Sequence, residues 1–367
     1  MSQEKVKIDD LGFSEEELFS IQPHSDEEAE RITAPRYSYW KSVFRVFFRK
    51  KINIFVLIVL LVVIGFAFIY PPLSGYDEFA NLMDSSAKHL SPIAAMEKFG
   101  YNIHWILGTG ASGGSTFDAV WHGARISIAL ALVCAFINLT VGIIVGALWG
   151  YSKRADKFML ELYNVVGNIP YQLLCSVLVL IFRPRFWTMV FALTITGWLP
   201  IAHFFRTQVL IIRDREYNLA SRCLGTPTMR ITTKNLLPFL TSIIVTQAAV
   251  EIPSYIGMEV FLAFIGLGLT ETTLGKLITN AQSAMLTPGL QMEFWSPVIL
   301  ASIIAIVLYV AGQNLGEAGG VGIGGGTQDG LAAHVGIDGV LIPLVGQAGV
   351  LLGGQGNDPQ GGGFAGV

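Results

Sequence analysis

Two acidic residues stand where a charge is costly. Glu251 and Glu259 both fall in the apolar run 239–269. On a helix their spacing separates them by about 12 Å, with Glu251 near mid-bilayer. An ionisable group at such depth ordinarily faces a cavity or a partner, because exposure to lipid is unfavourable. The pair could line a polar path through a membrane or relay protons along one. For Glu251 three readings stay open: lining the path, pairing with a polar neighbour, or being a tolerated polar residue.

Other chemistry-bearing patterns fall short. The nearest approach to a phosphate-binding loop is Gly268 with Gly275 and Lys276. It has six residues between the glycines instead of four, and Leu277 where Ser or Thr would bind Mg²⁺. No catalytic residue is expected, and the chain should hydrolyse no nucleotide. Cys134, Cys175 and Cys223 show no paired spacing and read as free thiols. The six histidines have no ligand spacing, so no metal site is expected. Asn138, Leu139 and Thr140 match a glycosylation sequon, but inside an apolar run it is inert.

The elements that must position these residues are apolar helices. The chain of 367 residues is 52% hydrophobic and only 14% charged, with a mean hydropathy of +0.55. Soluble domains carry about 25% charged residues, so an ordinary soluble domain is excluded. Residues 1–35 are acidic and poor in aromatics and read as a solvated tail. Residues 36–51 mix aromatics with Lys41, Arg45, Arg49, Lys50 and Lys51, the pattern of an amphipathic interfacial helix against anionic headgroups. That placement favours the lipid bilayer over nucleic acid as the partner of the basic stretch.

Six apolar runs follow, at 52–70, 125–150, 158–182, 186–212, 239–269 and 293–312. Each is long enough to span hydrocarbon, and Pro71 and Pro72 are expected to stop the first. The fold class is therefore an all-α integral membrane protein with six transmembrane helices. Segment 71–124 is short of basic residues and suits an external segment. By the positive-inside rule the basic turn 152–157, the stretch 213–238 and both termini lie in the cytoplasm. Arg183 and Arg185 on an external turn run against that pattern. Gly167, Pro170, Gly197 and Pro200 interrupt two runs, either to loosen helices that rock or to pack them. Residues 313–367 change character: nineteen of the 40 glycines lie in 316–367, and no Lys or Arg follows Lys276. This tail reads as disordered or non-native, and its removal is expected to leave function unchanged.

One polar interval remains inside the apolar region, residues 213–238, RDREYNLASRCLGTPTMRITTKNLLP. Its residues 216–221 favour helix and Gly225 breaks it. Thr226 and Pro227 restart one as a cap and first helical residue. The sequence predicts a short helix, a turn and a second helix lying on the membrane surface. Glu216-Tyr217, Ala220-Ser221, Leu224-Gly225 and Leu237-Pro238 resemble the cytoplasmic EAA loop of ABC-importer permeases. The first position of that motif, usually Glu, is Leu219 here.

Two further stretches resemble dipeptide and oligopeptide permeases. Leu107-Gly108-Thr109 followed by Gly123-Ala124-Arg125-Ile126-Ser127 is similar to their entry into the second helix, with Gly110 in place of Asp. Glu259 to Gly268 is similar to a segment at the outer end of their fifth helix, with Ala263 in place of Ser. YNLASRCLGTPT and YSYWK are similar to the C-type membrane subunit of Gram-positive oligopeptide importers (the OppC/AmiD type).

The resemblance covers about residues 35–315 and implies a type I ABC-importer permease fold in a bacterial cell membrane. It implies a second homologous permease subunit, two cytoplasmic ATPase subunits that bind the ATP and Mg, and an external peptide-binding lipoprotein. No cofactor is expected in this chain. Arg213, Arg215, Glu216, Ala220, Ser221, Arg222, Gly225, Thr226, Pro227, Leu237 and Pro238 would form the ATPase-coupling loop. Glu259 would act near the external gate. Two rivals stand beside this reading: a proton-coupled secondary peptide transporter using Glu251 and Glu259, and a membrane scaffold that tethers a soluble partner.

Overall fold

Apolar runs of this length become helix because in hydrocarbon a helix satisfies its own backbone. The computed structural model describes residues 39–77, 81 and 83–323, within one compact unit. The acidic leader and the glycine-rich stretch from 324 onward lie outside the described residues. Among the described residues there is no strand, only an isolated bridge between Thr109 and Ser115.

Helix α1, Tyr39–Arg49, sorts its side chains by stripe. Val43 and Phe47 are buried and pack with Leu315 and Ala318 near the end of the last helix. Trp40, Phe44 and Phe48 form an exposed ladder of rings with centroids 6.1 and 6.2 Å apart. Asn53 donates to the Phe47 carbonyl at 2.9 Å and fixes the corner into α2, Lys51–Ser74. The two prolines do not stop α2. Both lie in its last turn, which runs on to Ser74 and ends at Gly75 with φ +63°. Proline there forfeits one backbone bond, and the left-handed glycine performs the stop.

Between α2 and the next span lies a cap of short elements, including α3, Pro92–Phe99. Lys98 binds Asp84 at 2.8 Å and Ser86 adds a bond of 2.6 Å. Together they hold the Asp84 carboxyl down at about 2. Helix α4, Thr116–Tyr151, starts well before the apolar run at 125. Ser115 accepts from the Asp118 amide at 3.1 Å and caps it. The polar Asp118 and His122 hide this first part of the helix from a hydropathy reading.

The third run is not one straight helix. Helices α5, Lys153–Gly167, and α6, Tyr171–Phe182, meet at 74°. Pro170 lacks an N–H and disfavours helix in the residue before it. The basic stretch 152–157 is thus a capped helix start, with Ser152 accepting from the Ala155 amide at 3.4 Å. Helices α7, Phe186–Thr194, and α8, Trp198–Arg213, form one further span. Among the described residues, five helices are long and apolar enough to cross a membrane, or six with the bent pair counted as one span.

Two glycine seams hold the bundle. On α4, a Cβ at Gly142, Gly146 or Gly150 would stand 2.6 Å from the Ile201 side chain, 2.4 Å from the Ala202 carbonyl or 2.8 Å from the Arg206 carbonyl. Only bare backbone lets α8 lie this close. The second seam joins α12, Thr241–Leu262, to α14, Gln291–Ile323. A Cβ at Gly312 would come within 1.9 Å of the Ala249 methyl, and one at Gly316 within 1.9 Å of the Thr246 hydroxyl. The expected tail therefore begins too early at 313. Its first residues are helix, and their glycines are contact surface. Between α8 and α12 lie α9, Glu216–Cys223, then α10, Thr228–Ile231, a wide turn over Thr232–Leu236, and α11, Leu237–Phe239. Helix α13, Leu274–Asn280, precedes α14.

Candidate functional site

The 213–238 stretch is a helical hairpin fastened at its base and open at its tip. Asn218 is fully buried and donates to the Ile212 carbonyl at 3.0 Å. Arg213 reaches across to the Gly150 carbonyl at 2.9 Å. Arg222 lies over the Tyr151 ring and 3.8 Å from Asp214. The second limb is rooted by Ile231, Leu236 and Leu240, which join Phe205 and Val209 of α8 in one buried cluster.

The turn itself is dictated by glycine. Gly225 has φ +77°. Its amide donates to the Arg222 carbonyl at 3.0 Å, and the Thr226 amide to that of Ser221 at 3.1 Å. This pair of bonds is a Schellman ending. The restart comes one residue later than the sequence suggests. The Pro227 carbonyl accepts from the Ile231 amide at 3.2 Å, so Pro227 holds the cap position and Thr228 opens α10. The limb then widens over Thr232–Leu236, just before Pro238. Pro238 has no amide to donate and its ring crowds the preceding turn.

What the hairpin offers to solvent is mixed in chemistry. Leu224 is 86% exposed and Leu219 52% exposed, with Tyr217, Ala220 and Cys223 beside them. Arg215, Glu216, Arg222, Pro227 and Arg230 share the exposed surface. Partial burial of the Tyr217 ring pushes its phenol up, so it stays a neutral hydroxyl. Leu237 is half-buried and Pro238 exposed. An apolar patch ringed by cations suits a protein groove with acidic walls better than free water.

Glu251 and Glu259 are not brought together. Glu259 is 0% exposed and knots three segments. Thr273 donates to one carboxyl oxygen at 2.5 Å. Ser127 of α4 and the Gly275 amide reach the other at 3.1 and 3.4 Å. Each hydroxyl also accepts an amide at the start of α13: Leu274 to Ser127 at 3.1 Å and Lys276 to Thr273 at 3.2 Å. Three amides of that first turn therefore converge on one carboxyl, directly or through a hydroxyl. Gly123 and Gly275 permit the approach, since a Cβ on either would stand 2.9 Å from the Thr273 carbonyl carbon or 2.8 Å from Glu259. Within this chain the Glu259 carboxyl is enclosed and holds α13 in place. Glu251 is half-buried. Gln247 donates to it at 2.9 Å, and Tyr255, one turn on, bonds it as well. Within this chain its partners are therefore these two polar neighbours.

Several residues that a reading of the chain passes over prove central. Asn138, dismissed as an inert sequon, donates to Tyr255 at 2.6 Å and to the Leu193 carbonyl at 3.2 Å. Gly197 makes room for it, because a Cβ there would stand 2.7 Å from the Asn138 amide nitrogen. Asp156 accepts two bonds from Arg206 and one of 2.7 Å from the Trp149 indole. That network ties α5 to α4 and α8 beside the hairpin. Ser127 sits within a motif the sequence singles out, but its partner could not be read there. The turn at Arg183 and Arg185 lies at the opposite end from the hairpin, where the Pro184 carbonyl accepts from Thr270 at 3.3 Å.

A glycine-seamed bundle of spanning helices with a fastened, solvent-facing hairpin defines a multi-pass membrane transport component. A family profile described as the binding-protein-dependent transport system inner membrane component matches residues 138–317. A second, the N-terminal TM domain of oligopeptide transport permease C, matches residues 38–92. The oligopeptide transport system permease protein AmiD of Streptococcus pneumoniae is 42% identical over 308 residues, covering 83% of this chain and 96% of that protein. The dipeptide transport system permease protein DppC of Bacillus subtilis is 31% identical over 306 residues, covering 83% and 92%. Among solved structures, a chain of the MetNI methionine ABC transporter aligns with a TM-score of 0.47 at 18% identity, covering 55% of this chain and 96% of that one. The chain belongs to the family of C-type oligopeptide and dipeptide transport permeases.

Proposed function

We propose that this chain is one permease subunit of an ATP-driven oligopeptide importer. The observation that carries the reading is the hairpin, rooted by Asn218, Arg213 and Leu236 in the span packing and bare at Leu219, Leu224 and Ala220. A surface fastened this way transmits a push from a docked partner into α8 and α12. The partners are two cytoplasmic ATPase subunits, which bind the ATP and Mg, together with a second homologous permease and an external peptide-binding lipoprotein. This chain itself carries no cofactor and no catalytic residue. Peptide passes between the two permeases.

Charge supports the orientation. Lys41, Arg45, Arg49, Lys153, Arg154, Arg213, Arg215, Arg222 and Arg230 lie at the hairpin end, and the positive-inside rule argues for a cytoplasmic position of that end. Lys88, Lys98, Arg183, Arg185 and Lys276 lie toward the other end, fewer than at the hairpin end. At that outer end Glu259 serves the gate indirectly, by fixing α13. The proton-coupled alternative is disfavoured because Glu259 is held by three donors and lies about 12 Å along the helix from Glu251.

The test is uptake by vesicles that hold this chain, its sister permease and the ATPases, with the binding protein outside. Uptake should require internal ATP and ignore a protonophore. Loss of uptake on adding protonophore at fixed ATP would overturn the importer reading, and absence of any uptake would favour a scaffold.

A further inference from the structure

The cap has a bare apolar edge that neither the hairpin nor the Glu259 knot uses. Residues 99–107, FGYNIHWIL, contain no Asp, Glu, Lys or Arg. Ile103–Trp105 forms one tight helical turn whose backbone is bonded within the segment. The Trp105 amide donates to the Asn102 carbonyl at 3.1 Å, the Ile106 amide to that of Ile103 at 3.3 Å and the Gly108 amide to that of Trp105 at 3.0 Å. Such a turn tolerates surroundings that offer it no water. Phe99 and Trp105 stack at 4.3 Å, while Tyr101, Ile103 and Ile106 around them are exposed at 87%, 53% and 49%.

Helix α2 sets the depth of this edge. Its apolar run from Ile52 to Leu73 rises about 32 Å, close to the hydrocarbon thickness of about 30 Å. Ile52, Ile58, Leu61, Ile69 and Leu73 are exposed along it, a bare stripe from one end to the other. Tyr70 stands about 4.5 Å before the end of the run, and its side chain leans back toward the start of the helix. Its hydroxyl donates to Asp118 at 2.5 Å and lies 3.2 Å from His104 Nδ1, which is 2.8 Å from the other Asp118 oxygen. His104 is thereby pinned where hydrocarbon gives way to headgroups. Phe66 stacks on Tyr70 at 4.7 Å and Phe117 meets it edge-on at 5.6 Å, a gathering of rings typical of that boundary. We propose that residues 99–107 are an interfacial anchor, with Ile103 and Ile106 seated in the lipid leaflet on the cap side and Tyr101 among its headgroups. Lipid is the occupant because the edge lies at this depth, bears no Asp, Glu, Lys or Arg, and adjoins the bare stripe of α2 through Tyr70. The cap is then held from two sides, by the spans through His104 and by the bilayer through Ile103. The anchor requires only that α2 spans the membrane and is independent of what the complex transports.

The experiment attaches an environment-sensitive dye to Ile103→Cys in the full chain, held in phosphatidylcholine nanodiscs. Cys223→Ser removes the exposed thiol, and Cys134 and Cys175 are buried. Two quenchers are compared, aqueous iodide and a lipid with a doxyl group high on its acyl chain. A dye on native Cys223 gives the water reference, and one on Ile58→Cys of the α2 stripe gives the lipid reference. The label at 103 should follow the lipid reference, quenched by the doxyl lipid and spared by iodide. A label on Ile106→Cys should agree, so the failure of one variant to fold leaves the other. Adding Ile106→Asp should turn the 103 label over to iodide, because a charge is costly in hydrocarbon. Iodide quenching at 103 equal to that at Cys223 would overturn the anchor. So would shielding that appears only when the external binding protein is added, which would make the edge a protein contact. Shielding from both quenchers in the chain alone would overturn it as well, by showing that a second copy covers the edge.

Discussion

Replacing Glu259 by alanine tests whether that carboxyl is a structural knot. The change strips partners from the Thr273 hydroxyl, the Ser127 hydroxyl and the Gly275 amide, in a place with no exposure to solvent. Each orphaned donor costs about 1–3 kcal/mol. With relaxation the total should be about 3–5 kcal/mol. Glu259→Gln keeps an acceptor oxygen and should cost about 1–2 kcal/mol. The chain supplies its own reporter: Cys134 and Cys175 are buried while Cys223 is exposed. On heating in detergent with a thiol-reactive dye, Cys223 should label at once and the other two only as the bundle opens. The opening temperature of the alanine variant should fall by roughly 6 °C or more. Coupling between Glu259→Gln and Ser127→Ala should be about 0.5–3 kcal/mol. An alanine variant that opens with the parent, or a cycle with no coupling, would refute the knot.

Other outcomes follow from the same geometry. Gly225→Val forces a β-branched residue to φ +77°, at about 1–2 kcal/mol. Insertion should survive while co-purification of ATPase subunits falls; normal co-purification and uptake would count against the turn. Gly146→Val places a side chain where a Cβ already stands 2.4 Å from the Ala202 carbonyl, so a loss of about 1–3 kcal/mol is expected from the same thiol assay. Ending the chain after Leu315 removes Gly316 from the second seam and Ala318 from the α1 contact, and should lower the opening temperature. Ending it after Ile323 should not, and equal behaviour of the two truncations would show that the seam carries no stability.

Apolar length along the chain marks the helices long and apolar enough to cross a membrane. Apolar length decides that locally, since hydrocarbon leaves a backbone few options beyond helix. The left-handed turn at Gly225 was equally local, a matter of one residue without a Cβ. The loop and the Glu259 segment were legible as family motifs because their residue types are distinctive. What each touches was not legible. Ser127 and Glu259 are 132 positions apart and meet only because Gly123 and Gly275 let α4, α12 and α13 close up. Hydropathy misjudged Gly316 as part of a tail, because a glycine run looks the same whether it is loose or pressed against Thr246. It also misplaced the start of α4, where Asp118 is paired with His104 at 2.8 Å and the helix continues through polar residues. Composition reports what a residue prefers on its own. Whether a glycine is slack or a seam, and whether a buried carboxyl is a path or a knot, depends on the neighbours that only the packed helices bring.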